Sequence, residues 1–170
     1  RGSVIPNFIN RFKNNQILTV TDPRMTRFNI NLNQAINLVY KSLKFSKSGE
    51  IFVPKIPSFK ITDLVKAISG NNKFETIGIR PGEKLHEELV SIYEGYSTVE
   101  FKDYYSILSS NDKKVINSYC KKNGAKKVEK GFCYTSNNNP IFLNPKNLRE
   151  MIKKELPNMI DVKWISQKKI

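Results

Sequence analysis

Histidine occurs once in this chain, at position 86, and cysteine twice, at 120 and 133. One imidazole and two thiols set 13 positions apart lack the ligand set and spacing of a tetrahedral zinc centre, so no metal site is expected. Two cysteines without a secretory leader read as reduced thiols rather than as a disulfide. No apolar run approaches the ~20 residues of a membrane span, and no charged-then-apolar leader opens the chain. With 39% hydrophobic residues and a mean hydropathy of −0.46, the sequence is that of a soluble, cytoplasmic protein. Acidic residues are scarce, 15 against 29 basic, for a formal net charge of +14. The excess is uneven: residues 1–101 hold 14 basic and 9 acidic residues, residues 102–170 hold 15 and 6. Such a balance suits nucleic acid or an anionic surface. Here, however, lysine far outnumbers arginine and asparagine is abundant, a composition that biased codon usage produces without a selected partner. The basic residues are not interleaved with aromatics or a helix-turn-helix pattern, which argues against a nucleic-acid function. A positive field that attracts a dianionic ligand remains consistent with the composition.

At 170 residues the chain is long enough to bury a core of its own. Hydrophobic periodicity predicts alternating short strands and helices. A helix over Val4 to Phe12 has Ser3 as cap and Pro6 in its first turn, where a missing amide does little harm. Extended segments are expected at Ile17–Thr21 and Thr26–Ile30, then a helix capped by Asn31 through Leu38 and Phe45. A buried strand follows at Glu50–Val53, then a helix capped by Thr62 or Asp63 that stops at Gly70. Phe74–Ile79 reads as a strand, Glu83–Val90 as a helix, and Tyr104–Leu108 as extended. The polar stretch from Ser109 to Gly131 offers only Val115, Ile116 and Tyr119 as a short helical face and is expected to be partly mobile. Asn144-Pro145 opens a final helix near residues 145–154. No internal repeat or heptad array is present.

The string Ile79-Arg80-Pro81-Gly82-Glu83-Lys84-Leu85-His86-Glu87-Glu88-Leu89 carries the most chemistry. Pro and Gly set a tight turn, Arg80 can offer a planar fork of donors to a diphosphate, and Glu83 can accept from a sugar hydroxyl. Alone, the same string also describes a surface turn with a helix-capping acid. His86 invites a catalytic role as a base titrating near neutrality. Its expected place in a helical turn amid Glu83, Glu87 and Glu88 favours a charge-paired surface role instead. Glu87 and Glu88 cannot act as facing carboxylates in a helix, where adjacent residues point about 100° apart.

Three further segments precede that string: Arg1-Gly2-Ser3-Val4-Ile5-Pro6, Thr19-Val20-Thr21-Asp22-Pro23-Arg24-Met25-Thr26-Arg27-Phe28, and Gly49-Glu50-Ile51-Phe52-Val53-Pro54-Lys55 with Ile61-Thr62-Asp63-Leu64. In that order and spacing they resemble the C-terminal half of the nucleotide-sugar 4,6-dehydratases. The nearest group is the inverting UDP-N-acetylglucosamine 4,6-dehydratases of bacterial surface-polysaccharide and flagellin-sugar synthesis, which are extended short-chain dehydrogenase/reductases. The resemblance is specific from Arg1 to about Ser91 and weaker to about Ile152. The family's first half carries a Gly-rich dinucleotide turn and a catalytic Tyr-x-x-x-Lys pair. This chain has no such turn, and its one formal match to the pair, Tyr40 with Lys44, follows the sugar-binding motifs instead of preceding them. It therefore reads as an i,i+4 surface pair, and the chain as the back half of an enzyme.

The resemblance implies an α/β fold: an incomplete Rossmann-type sheet with a small α/β substrate-binding domain. It further implies a nucleotide-sugar-binding portion over residues 1–101 and a Lys-rich extension over 102–170. Arg80 and Arg27 would contact the diphosphate and Glu83 the uridine ribose, with Val4 and Pro6 at the uracil pocket and Thr19 in the adjacent extended segment. Ile5 suits the core equally well, and Arg24 is less specific than Arg27. The implied reaction passes a hydride from sugar C4 to a bound nicotinamide, eliminates water across C5 and C6, and returns the hydride at C6. Its catalytic groups and its NADP site would lie upstream of Arg1, so this chain alone is expected to be inactive. The implied partners are UDP-N-acetylglucosamine or a related UDP-sugar and further copies in a homo-oligomer, with no membrane. The rival readings are a nucleotide-sugar 4-epimerase portion, a basic nucleic-acid or polyanion-binding module, and a degenerate piece that does not fold alone.

Overall fold

A computed structural model describes residues 3–47 and 49–159. In chain order it runs through helix α1 (Val4–Lys13), strands β1 (Thr19–Val20) and β2 (Thr26–Phe28), helix α2 (Leu32–Phe45), strands β3 (Ile51–Pro54) and β4 (Ser58–Lys60), and helix α3 (Ile61–Ser69). There follow β5 (Glu75–Thr76), β6 (Glu88–Val90), β7 (Thr98–Glu100), β8 (Tyr104–Ile107), α4 (Lys113–Asn123), β9 (Lys126–Lys127), β10 (Tyr134–Thr135) and α5 (Pro145–Glu155). The described residues gather into two compact units, each interrupted along the chain: 3–28, 58–86 and 140–159 in the first, 29–47, 49–57 and 87–139 in the second.

The first unit is built on α3. Ile61, Leu64, Val65 and Ile68 follow the i, i+3, i+4, i+7 spacing of one helix face, and all four are buried. Gly70 ends the helix in the left-handed conformation, φ +73°, which a side chain would oppose. The helix starts at Ile61, ahead of the expected caps, because the Ile61 amide donates to the Met25 carbonyl across the β2–β4 pair. Leu148 and Ile152, one turn apart on α5, close the core together with Phe8 and Ile9 of α1. Asn144 caps α5 through the Asn147 amide with Pro145 following. Ser3 occupies the cap position of α1, but its hydroxyl makes no capping bond. Strands β1 and β5 pair in parallel, and β2 runs antiparallel to β4 with Arg27 opposite Phe59.

The second unit holds a four-stranded antiparallel sheet of order β3-β8-β7-β9 and the separate pair β6–β10. Helix α2 begins in a reciprocal Asn31–Gln34 capping box. The stretch expected to be partly mobile is ordered instead: Asp112 caps α4 through the Lys114 amide, and Ile116 packs with Val99 and Leu108. One cap and one buried face are enough to hold a polar helix.

The expected helix over Glu83–Val90 is not formed. Leu85 accepts from the Thr26 amide, His86 bridges to Thr26, and Glu88–Val90 pairs with Tyr134–Thr135. The backbone groups that a helix would satisfy internally are taken by neighbouring strands, so tertiary pairing overrides local propensity. After α5 the chain continues as a short 3-10 turn over Pro157–Met159. Residues 160–170 lie outside the described residues.

Candidate functional site

Thr19 lies in β1 and Thr21 directly after it. There they meet Arg27, Glu83 and Val4 around a small cleft of about 90 Å³ in the first unit. Phe8 and Met25, both buried, form part of its wall.

Arg27 is held firmly. Its Nη1 donates to the Thr26 carbonyl at 2.7 Å and to the Leu85 carbonyl at 3.1 Å. Its Nη2 lies 3.2 Å from Met25 Sδ and 4.0 Å from Glu83 Oε1. The side chain is 18% exposed, so most of its surface is spent on fixing its direction.

Glu83 joins three segments. Its Oε1 accepts from Thr21 Oγ1 at 3.4 Å, and its Oε2 from the Arg80 amide at 3.3 Å. The Glu83 amide in turn donates to the Arg80 carbonyl at 3.0 Å. That closed turn contains Gly82 at φ +80°, a conformation rarely open to other residues. The turn leaves the Arg80 side chain exposed, and its guanidinium has no described partner. Arg80 therefore lies in a loop between strands, not in a strand-to-helix loop.

Of the residues singled out from sequence, the structure brings Val4, Thr19, Arg27 and Glu83 together around the cleft. Arg80 is tied to that group through its backbone. Pro6 is elsewhere, on a shallow groove beside Asn7, Asn10 and Arg11 of α1. Ile5 packs against the core of the first unit.

Two features were not read from the sequence. Thr21 belongs to the quoted Thr-Asp-Pro string, and its i+2 spacing from Thr19 was the available signal. Asp22 fixes the following turn: its Oδ1 accepts from the Arg24 amide at 2.8 Å and from Nε at 3.0 Å, and its Oδ2 from Nη2 at 2.7 Å. These bonds from Arg24 lower the Asp22 carboxyl to about 2 and account for Arg24 as a brace. His86 does not sit in a helical turn among glutamates. Its Nδ1 lies 2.8 Å from Thr26 Oγ1, on the residue before Arg27.

A family model described as "Polysaccharide biosynthesis protein" matches residues 1–109, which include every residue of this cleft. The chain belongs to the polysaccharide biosynthesis protein family. Among curated relatives, the chain is 43% identical over 160 residues to a UDP-N-acetylglucosamine 4,6-dehydratase (inverting) of Campylobacter jejuni, covering 89% of this chain and 47% of that protein. It is 38% identical over 157 residues to a UDP-glucose 4-epimerase of Rickettsia bellii, covering 89% and 45%. The X-ray structure of Pen from Bacillus thuringiensis superposes with a TM-score of 0.74 at 34% identity, covering 95% of this chain and 46% of that one. The chain thus spans about half the length of the curated relatives it matches, and its fold is that of the C-terminal portion of an extended short-chain dehydrogenase/reductase.

Among the described residues of this family member, no group of three His, Cys, Asp or Glu could hold a metal ion. Among the described residues no helix is long and apolar enough to cross a membrane.

Proposed function

We propose that the first unit is the nucleotide-sugar grip of an inverting UDP-N-acetylglucosamine 4,6-dehydratase. That enzyme, a cytoplasmic NADP-dependent lyase and homo-oligomer, would make a UDP-4-keto-6-deoxy-hexosamine for surface polysaccharide or glycan. The residues that contact the nucleotide sugar would all lie within residues 1–101, with residues 102–170 as a Lys-rich extension. The convergence of Thr19, Thr21, Arg27 and Glu83 on one cleft carries this reading, in a chain 43% identical to a protein of that name.

In this reading Arg27 and Arg80 neutralise the diphosphate, each as a charge-assisted donor. Arg27 is already oriented by two carbonyls, so it loses little freedom on binding. Arg80 is exposed and closes on the ligand. Glu83 accepts from a ribose hydroxyl, while Val4 lies beside the uracil. Binding energy gathered on the nucleotide then positions the hexose for chemistry elsewhere in the protein.

NADP is the cofactor proposed for that enzyme, and the residues of this chain do not fit it. Its eight glycines nowhere fall in a G-x-G-x-x-G turn, and among the described residues its one parallel strand pair is two residues long on each side. Tyr40 is 70% exposed on α2, and the Lys44 ammonium lies over the Phe45 ring. No hydride step is assigned to this chain, which is expected to show no turnover by itself.

A UDP-sugar 4-epimerase is the second reading, favoured by the 38% identity to proteins of that name. Product analysis of the complete enzyme with UDP-N-acetylglucosamine separates the two: a 4-keto-6-deoxy product supports the dehydratase, and a 4-epimer supports the epimerase. In the same protein Arg80→Ala weakens UDP-sugar binding by roughly 1.5 to 3 kcal/mol, the range for a hydrogen bond to a charged group. Unchanged affinity would show that Arg80 is not a diphosphate ligand.

A further inference from the structure

The second unit contains a larger cleft, of about 500 Å³, that the nucleotide-sugar reading does not use. Three separate segments build it. Lys113 is the first residue of α4, placed there by the Asp112 cap. Lys127 is fixed by the pairing of β9 with β7, where it stands opposite Val99. Lys130 comes from the turn that follows, which Phe132 closes by donating its amide to the Glu129 carbonyl at 3.1 Å.

That turn is seated against the 3-10 turn Glu94–Ser97 at Gly95. A Cβ at position 95 would collide with the Phe132 carbonyl oxygen, so the two backbones meet only because residue 95 is glycine. Their approach places Tyr96, 58% exposed, beside the lysines, while Ile116 and Val128 supply apolar wall.

Glu129 is the one acidic residue in the lining. Among the described residues none of the three ammonium groups has an ion-pair partner. By contrast, Lys41 and Lys55 of the same unit are paired with Asp103 at 3.2 Å and Glu100 at 2.6 Å. The cleft therefore combines several unneutralised cations with an aromatic ring and an apolar wall. A phosphomonoester dianion needs more than one cation, and lysines serve it as point charges. An attached flat or apolar group would pack on Tyr96 and Val128.

We propose that this cleft binds a phosphorylated small molecule with an apolar or aromatic body, its phosphate held by Lys113, Lys127 and Lys130 and its body by Tyr96 and Val128. The cleft is lined by residues of the second unit alone, none of them shared with the proposed nucleotide-sugar grip.

The experiment is an equilibrium titration of the full chain with 1-naphthyl phosphate, followed by the probe's own fluorescence. Replacing Lys113, Lys127 and Lys130 together by Gln is expected to weaken binding by roughly tenfold, as the sum of three exposed charge contacts. The triple Lys102→Gln, Lys121→Gln, Lys122→Gln, which removes the same charge from exposed residues of the same unit outside the cleft's lining, is expected to leave binding nearly unchanged. Tyr96→Ala is expected to weaken 1-naphthyl phosphate several-fold without changing inorganic phosphate. Equal losses in the two triples would overturn the proposal by showing a general positive field. Loss of probe binding in Arg80→Ala would overturn it by placing the probe in the first unit's cleft. All of these are surface side chains, so the variants are expected to fold.

Discussion

Arg27 and Arg80 share a side chain but hold it differently. Arg27 is bound to the Thr26 and Leu85 carbonyls and faces Glu83, whereas Arg80 is fixed only through its backbone. The strand that carries Arg27 is in turn set by Asp22, whose carboxylate takes three donors from Arg24 and whose carbonyl accepts from Met25. These bonds lower the Asp22 carboxyl from 3.8 to about 2. The folded state therefore binds this proton less readily than the unfolded chain. The stabilisation is fully present above the unfolded value near 3.8 and is lost as pH falls through about 2. Thermal melts of wild type and Asp22→Asn between pH 2 and 6 should show the wild type ahead at pH 5 to 6 and the gap closing toward pH 2. A gap that stays constant across this range would mean that the carboxylate charge is not what holds the turn. At this scale the sequence displayed the residue types well: Arg27, Glu83 and Thr19 sit in recognisable strings. It could not display Asp22's three bonds or the displacement of Pro6 from the cleft, because both depend on side-chain direction within a turn and along a helix face.

Among the elements, those with a strong internal period are the ones legible from sequence. Helix α3 declares itself through Ile61, Leu64, Val65 and Ile68, and α5 through Asn144-Pro145 with Leu148 and Ile152. The segment after Gly82 has the local propensity of a helix because Glu83, Lys84, Leu85 and Glu87 are good helix formers. What decides its form lies far along the chain: Thr26 takes Leu85 and His86, and the 134–136 segment takes Glu87 to Val90. No local pattern announces a partner 50 residues away. The same long-range logic fixes β10. The buried Tyr134 hydroxyl donates to the Ile56 carbonyl at 2.9 Å and accepts from the Ile56 amide at 3.0 Å, tying β10 to the end of β3. Tyr134→Phe keeps the ring and removes both bonds. The Ile56 carbonyl retains Asn139 Nδ2 at 2.7 Å, but the amide is left unsatisfied, at a cost of about 1 to 3 kcal/mol. Urea unfolding of the two proteins checks this, and an unchanged midpoint would show that water or another group replaces the hydroxyl.

For the molecule as a whole, the surface of α2 is the feature its own packing leaves unresolved. The sequence predicts a helix capped by Asn31, and the helix forms with its capping box. Yet none of its residues is buried: Leu32 is 73% exposed, Tyr40 70% and Leu43 78%, with Ile36 and Val39 also open. Periodicity identifies an apolar face but not what covers it, since burial is a property of the assembled molecule. A contiguous apolar stripe of this kind drives association in water. The relatives matched are about twice this length, so their chains have further residues available to cover such a stripe. The 170-residue chain by itself is therefore expected to self-associate at micromolar concentration. The double variant Leu32→Lys, Leu43→Lys should shift it toward monomer in sedimentation velocity, because each lysine places a charge within the stripe while the capping box remains intact. Circular dichroism distinguishes the outcomes: helix content is retained if only association is lost, since lysine is a good helix former at exposed positions. A wild-type chain that sediments as a monomer would show that the exposed face of α2 is not, on its own, a contact surface.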